Sequence, residues 1–210
     1  MFDPVQSEVA LFPMFLRLEG RHCLVVGAGV IAEGKITALL SAGARITVVA
    51  PHARRRIACG ARRGRIEWHA REFQVRDLAG VFLVIAATSS PELHQRIWRA
   101  ARRRGVLCNV VDDPPRCDFY YPAIVRRGPL QIAISTSGQS PALAQQLRHQ
   151  LEAQFGPAYA TWVAQLGRAR HRTMRVEPDI TRRKKLAHDM VRRDISRMRQ
   201  PALRRGLDRP

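Results

Sequence analysis

Short apolar runs and amphipathic stretches alternate along the first 112 residues. Residues 21–26, RHCLVV, read as a strand that runs directly into GAGVIA. In the following EGKITALLSAGA, Ile36, Leu39 and Leu40 share one helical face, and Gly43 marks a stop. Residues 45–50, RITVVA, form a second strand closed by Pro51. Strand, turn, helix and strand within about 30 residues is the size of a βαβ unit. Residues 52–65 are polar and Arg-rich and predict a loop, and IEWHAREF predicts a short strand. Residues 81–87, VFLVIAA, are apolar throughout, as a parallel strand buried on both faces is. Ser90 and Pro91 supply a cap and a first helical position for ELHQRIWRAARRR, which Gly105 ends. VLCNVV is the next strand, and it stops at Asp112. The alternation predicts an α/β fold, a Rossmann-like doubly wound parallel sheet.

After Asp112 the pattern changes. YYPAIVRRGPLQIAIST holds two β-like pieces around an RRGP turn, with no room for a crossover helix. This predicts a small α+β region. Ser140 and Pro141 repeat the cap-and-proline device before PALAQQLRHQLEAQF. Residues 158–210 have few β-branched residues and read as helical. The domain reading is therefore 1–113, 114–152 and 153–210, with a helical C-terminal domain last.

Composition narrows the classes. A hydrophobic fraction of 46% is enough for a real core. No apolar run reaches the roughly 18 residues that span a bilayer. The N-terminus, MFDPVQSEVALFPMFL, has no basic segment before its apolar stretch and does not read as a signal peptide. The four cysteines are widely spaced without a CxxC pair, which argues for reduced thiols and a cytoplasmic location. The seven histidines show no metal-ligand spacing, so no permanent metal site is expected. Net charge is +19, and 33 of the 36 basic residues are Arg. Codon preference explains Arg over Lys but not the surplus, which asks for a polyanionic partner: nucleic acid, or a substrate rich in carboxylates or phosphates. Residues 168–210 hold 15 basic and five acidic residues, so this tail carries +10 of the total.

Three stretches carry candidate chemistry. Gly27, Gly29 and Ala32 form GxGxxA between a strand and a helix, the context of a dinucleotide site. Gly27 allows the turn, and Gly29 admits a pyrophosphate at the helix N-terminus, where Val30 and Ile31 begin the first turn. Ala50 and Pro51 stand where a ribose-binding acid is usual, so the choice of NAD or NADP stays open; Arg54, Arg55 and Arg56 are candidate 2′-phosphate readers. Thr88 follows the central strand and faces the expected crevice, while Ser90 reads equally as a helix cap. Asp112 ends the next strand and is either a proton acceptor or part of a turn; Asp113, before Pro114, reads as a turn residue. Ser135, Thr136, Ser137, Gly138 and Ser140 form a polar loop that is either an anion site or a helix cap.

These stretches, with VIAATSSPELHQRI and CNVVDDPPRCDFYYPAIVRRGPLQIAISTSGQSPALAQQLRHQLE in that order, make residues 11–152 resemble the precorrin-2 dehydrogenase and sirohydrochlorin ferrochelatase family. The resemblance implies NAD-dependent oxidation of precorrin-2 to sirohydrochlorin, in many members with ferrous iron inserted as a second substrate. It implies a homodimer through strands of the middle region, and it places the catalytic aspartate on Asp112. It places a modifiable family serine on Thr136, which keeps a hydroxyl. The usual VAxRK reads IAEGK here, with Gly34 substituted and Lys35 retained. A tail of about 60 residues is too short for a methyltransferase domain. The many carboxylates of precorrin-2 give the positive charge a target, and a cationic cleft around Asp112 is expected. The alternative is a nucleotide-sensing Rossmann module whose basic tail, with TRRKK and VRRDISRMR, binds nucleic acid. Charge runs of this kind are usually solvated helix faces, so nucleic acid is the weaker partner.

Overall fold

The computed structural model describes residues 11–204, with side chains through residue 195. The reading of the extreme N-terminus as no signal peptide falls largely on residues 1–10, outside the described residues. The chain divides into two compact units, Met1–Tyr121 and Pro122–Pro210.

In the first unit five strands form one parallel sheet: β1 (His22–Val26), β2 (Arg45–Val49), β3 (Glu67–His69), β4 (Leu83–Ala86) and β5 (Leu107–Val110). Their order is β3-β2-β1-β4-β5. The chain winds outward from β1 to β3, then crosses back to β4, which puts a topological switch point between β1 and β4. The register sets Val26 beside Val49 and Ala86, and Ala86 beside Val110. The loops that begin at Gly27, Ala50, Ala87 and Val111 therefore leave the sheet along one edge.

The apolar runs are explained by helices on both faces. Successive side chains of a strand point to opposite sides. Val25, Ile46 and Ile85 pack with Ile36 and Leu39 of helix α1 (Val30–Ser41) and Ile57 of α2 (Arg55–Arg62). Leu24, Val84 and Ala86 pack on the other face with Ile97, Ala100 and Ala101 of α3 (Pro91–Arg103). Each fully buried Leu or Ile contributes about 1.5–3 kcal/mol.

The stretch 52–65, expected to be a loop, contains α2. Ile57 is its one buried residue, so a single anchor replaces an apolar stripe and the pattern offers no periodicity to detect. Residues 114–121 stay with the first unit because β5 binds them. Cys108 N donates to Asp118 Oδ2 (2.8 Å), and Asn109 Nδ2 donates to the Phe119 carbonyl (2.8 Å).

The second unit begins with an antiparallel hairpin, β6 (Ala123–Arg127) and β7 (Leu130–Ile134), as the RRGP turn suggests. Helices α4 (Pro141–Gln154), α5 (Ala158–Val176) and α6 (Ile180–Arg204) follow. The Arg127 guanidinium donates to the carbonyls of Phe155 (2.7 Å) and Glu152 (3.1 Å), which satisfies the end of α4. Among the described residues, no helix is long and apolar enough to cross a membrane.

Candidate active site

A crevice of about 1150 Å³ opens at the C-terminal ends of the first unit's strands, where such sheets bind ligands. The glycine turn forms one wall. Gly27 has φ +105°, and a Cβ there would come within 2.2 Å of the Ala87 carbonyl oxygen, so only glycine lets the chain leave β1 past β4. At Gly29 an added Cβ would meet nothing within 4 Å. Gly29 is the extended N-cap of α1 and gives no side-chain cap, so the first amides of the helix are left for a ligand. Ala32 is fully buried against the sheet. Bare backbone, open space and a helix N-terminus fit the pyrophosphate of a dinucleotide. Val30 and Ile31, large and apolar, are 65% and 51% exposed and line the same crevice.

Ala50 and Pro51 line it from the end of β2. Arg54, a candidate phosphate reader, pairs with Glu33 at 3.0 Å, and its amide donates to the Ala28 carbonyl. Thr88 also lines the crevice, and its Oγ1 accepts from Ser90 N (3.2 Å). Ser90 caps α3 by accepting from Leu93 N, so neighbouring residues serve the two roles held open above. His94 Nε2 lies 2.9 Å from the Thr88 carbonyl; a carbonyl only accepts, which places the proton on Nε2.

Asp112 enters from the end of β5. It is exposed and has φ +60°, a left-handed conformation that is costly for a residue with a side chain. The turn around it holds that conformation. Asp113 N donates to the Val110 carbonyl, Cys117 Sγ donates to the same carbonyl, and the Asp113 carboxylate is paired with Arg116. Both aspartates line the crevice; Asp113 is tied to the turn through Arg116, and Asp112 is the exposed one of the two.

Lys35 of α1 stands over the Tyr121 ring, its Nζ 3.4 Å from the centroid. Burial lowers the pKa of Lys35, while the charges of Asp112 and Cys117 oppose that shift. A half-buried ammonium is therefore within electrostatic reach of Asp112. The sequence marked Lys35 as retained but gave no geometry for it. Burial raises the Cys23 and Cys108 thiols to about 11 and 12, so neither offers a thiolate at neutral pH.

The crevice lining is not the cationic cleft expected. It holds Glu72, Glu92, Asp112 and Asp113 against one guanidinium, Arg96. The surplus positive charge lies elsewhere, more than half of it in residues 168–210. Glu72, His94 and Arg96 were not singled out by the sequence. The only signal for Glu72 was its place a few residues past a strand end.

The polar loop belongs to the second unit and is self-contained. Ser135 Oγ accepts from Ser137 N, Thr136 Oγ1 from Ser140 N, and Ser140 Oγ from Leu143 N, at 3.1–3.2 Å. Ser137 (φ +52°) and Gly138 (φ +85°) make the turn. These amides already donate within the loop, and its hydroxyl protons are further donors.

The family model described as putative NAD(P)-binding matches residues 14–123, and the model for the sirohaem biosynthesis protein central region matches residues 127–154. Siroheme synthase 1 of Aeromonas salmonicida is 45% identical over 141 residues, 67% of this chain and 30% of that protein. Siroheme synthase 1 of Pectobacterium atrosepticum is 44% identical over 160 residues, 76% of this chain and 33% of that protein. The chain spans about a third of the length of these curated relatives. A solved structure titled SirC, precorrin-2 dehydrogenase, is 28% identical with a TM-score of 0.74, covering 86% of this chain and 89% of that one.

Proposed function

Because the chain belongs to the putative NAD(P)-binding family, in the group tied to sirohaem biosynthesis, we propose that it oxidises precorrin-2 to sirohydrochlorin with NAD. The observation that carries this reading is one crevice holding both the open glycine turn and the strained, exposed Asp112. When bound, NAD accepts the hydride that leaves the tetrapyrrole carbon. The amides after Gly29 and the first turn of α1 hold the pyrophosphate. Val30, Ile31, Ala50, Pro51 and Thr88 line the remaining length of the cofactor. Asp112 accepts the proton released from the substrate, and its backbone turn aims the carboxylate before substrate arrives. Lys35 supplies a positive charge within electrostatic reach of Asp112.

Within the second unit, the hydroxyl protons of Ser135, Thr136, Ser137 and Ser140 are the donors of a loop suited to an anion, with Gly138 keeping the turn open. Ferrous iron is carried as a second substrate of the same crevice, not as a resident ion. The working form is a cytoplasmic homodimer, in which a second copy would cover the half-exposed positions of the β6–β7 hairpin.

The test is anaerobic. Precorrin-2 is generated in situ, NAD is added without metal, and sirohydrochlorin is followed by absorbance. Product is expected. Asp112→Asn is expected to lower kcat by about 10²–10³ with unchanged NAD affinity. Full turnover by that variant would remove Asp112 from the chemistry. Ferrous iron added to the same cuvette reads insertion. No turnover, together with salt-sensitive DNA retention, would favour the nucleotide-sensing alternative.

A further inference from the structure

The second strand ends without the carboxylate that commonly receives the ribose hydroxyls of a dinucleotide. Ala50 and Pro51 stand there instead. We propose that Glu72 supplies this carboxylate from the neighbouring strand, and that it sets a preference for NAD over its 2′-phosphorylated form. The proposal rests on the dinucleotide reading of the crevice and is independent of the tetrapyrrole chemistry.

The placement follows from the sheet. β2 and β3 are parallel with Val49 beside His69, and Ala50 N donates to the His69 carbonyl at 3.2 Å. The segments beyond both strands therefore leave the sheet side by side. Glu72 lies three residues past His69 and lines the same crevice as Ala50, Pro51 and His52.

The segment that carries it is clamped. Arg71 donates from Nη1 to the Glu72 carbonyl (2.9 Å), and it grips Asp77 through both terminal nitrogens (2.6 and 2.9 Å). Asp77 in turn accepts from Gln74 N at 2.8 Å. On the other side Phe73 is 2% exposed, with the Arg96 guanidinium over its ring. Glu72 thus projects from between two anchored residues. Its side chain is exposed, and among the described residues no hydrogen bond or ion pair engages its carboxylate. The main chain beneath it is held in place before any ligand binds.

The chemistry suits a ribose diol. A carboxylate has acceptor sites for two hydroxyl protons and no donor. It would repel a 2′-phosphate. Arg54, the candidate phosphate reader after β2, is held by Glu33, and Arg96, the guanidinium lining the crevice, stands over the Phe73 ring.

Titration calorimetry on the full chain, with NAD and then NADP and no tetrapyrrole, tests this. The unaltered protein should prefer NAD by about tenfold or more, the size of a hydrogen bond to a charged group. Glu72→Gln should weaken NAD binding by about tenfold and, by lifting the repulsion, strengthen NADP binding, which collapses the ratio. Glu72→Asp should recover part of the preference, and Glu72→Arg should put NADP ahead. Thermal melts should be unchanged, because the side chain is exposed. NAD binding with an unaltered ratio in the Gln and Arg variants would overturn the role of Glu72 alone. Failure of the unaltered protein to bind either dinucleotide would overturn both this role and the reading of the crevice.

Discussion

β4 of the first unit is buried at every position, and β1 and β2 are buried at their last four. In the second unit β7 alternates intermediate and exposed positions, and β6 is intermediate or exposed except at Val125, the one buried residue of the two strands. Beyond Val125, the buried apolar residues described in that unit are Ala144 and Ala169. The first unit is stabilised by volume: two apolar layers around one sheet. The second is stabilised by directed bonds. Arg127 closes the end of α4, Phe155, Tyr159 and Trp162 meet edge to face, and Trp162 Nε1 donates to Asp194. A unit with so small a core invites cover from another surface, and this is why the proposed dimer contact is placed there.

Core truncation should show the largest contrast. Ile85→Ala in β4 should cost about 3–4 kcal/mol, because the side chain is fully enclosed and the sheet cannot collapse around the void. Ile132→Ala in β7 should cost less than about 1.5 kcal/mol at low protein concentration, with a larger loss as concentration rises if a second copy covers it. Urea unfolding of the full chain at two concentrations measures both. An equal, concentration-independent loss at the two sites would break the comparison.

Glycine substitutions should separate the units next. Gly27 and Gly128 both have positive φ. At Gly27 an added Cβ collides with backbone, whereas at Gly128 it meets the Ala160 side chain at 3.1 Å. Gly27→Ala should cost about 3 kcal/mol and abolish NAD binding, and Gly128→Ala about 1–2 kcal/mol. Thermal melts and NAD titration read the two effects.

Much of the first unit was legible because its elements obey one rule each. The period of Ile36 and Leu39, the unbroken run of β4 and the Ser-Pro caps each mean the same thing in sequence and in structure. The glycine turn was legible for the same reason: no other residue fits at Gly27. What escaped was set by neighbours distant in sequence. Helix α2 hangs on Ile57 alone, so no local pattern announces it. The left-handed turn at Asp112 depends on Asn109, Cys117 and Arg116 closing around it, and the approach of Lys35 depends on α1 packing over Tyr121. Glu72 gained its position from the pairing of β2 with β3. The expectation of a cationic cleft failed because net charge is a property of the whole surface and does not say which side chains line one crevice.

The Ser-Pro device appears in both units, and it should be worth the same in each. Ser90 Oγ accepts from Leu93 N at 3.2 Å, and Ser140 Oγ accepts from Leu143 N at the same distance. Ser90→Ala and Ser140→Ala should each cost about 1 kcal/mol, since a cap satisfies local amides whatever the size of the core behind it. A much larger loss at Ser140 would mean that its hydroxyl does more than cap.

The smallest contrast lies between two ion pairs. In the first unit Asp77 is 6% exposed beside Arg71; in the second, Arg148 and Glu152 are 28% and 32% exposed one helical turn apart. Burial alone would raise the pKa of Asp77, but hydrogen bonds from Arg71 and from Gln74 N, with the positive charges of Arg71 and His69, outweigh it and hold the carboxyl below its ordinary 3.8. A carboxyl depressed in the folded state contributes stability that is fully present above its ordinary value and is lost as pH falls through the folded one. Melting temperature should therefore drop more steeply below about pH 4 in the unaltered chain than in Asp77→Asn, which has no proton to take up. Glu152→Gln should shift stability by less than about 0.5 kcal/mol at neutral pH. If Asp77→Asn kept the full acid limb, the clamp under Glu72 would not be the titrating element, and the rigidity ascribed to that loop would need another source.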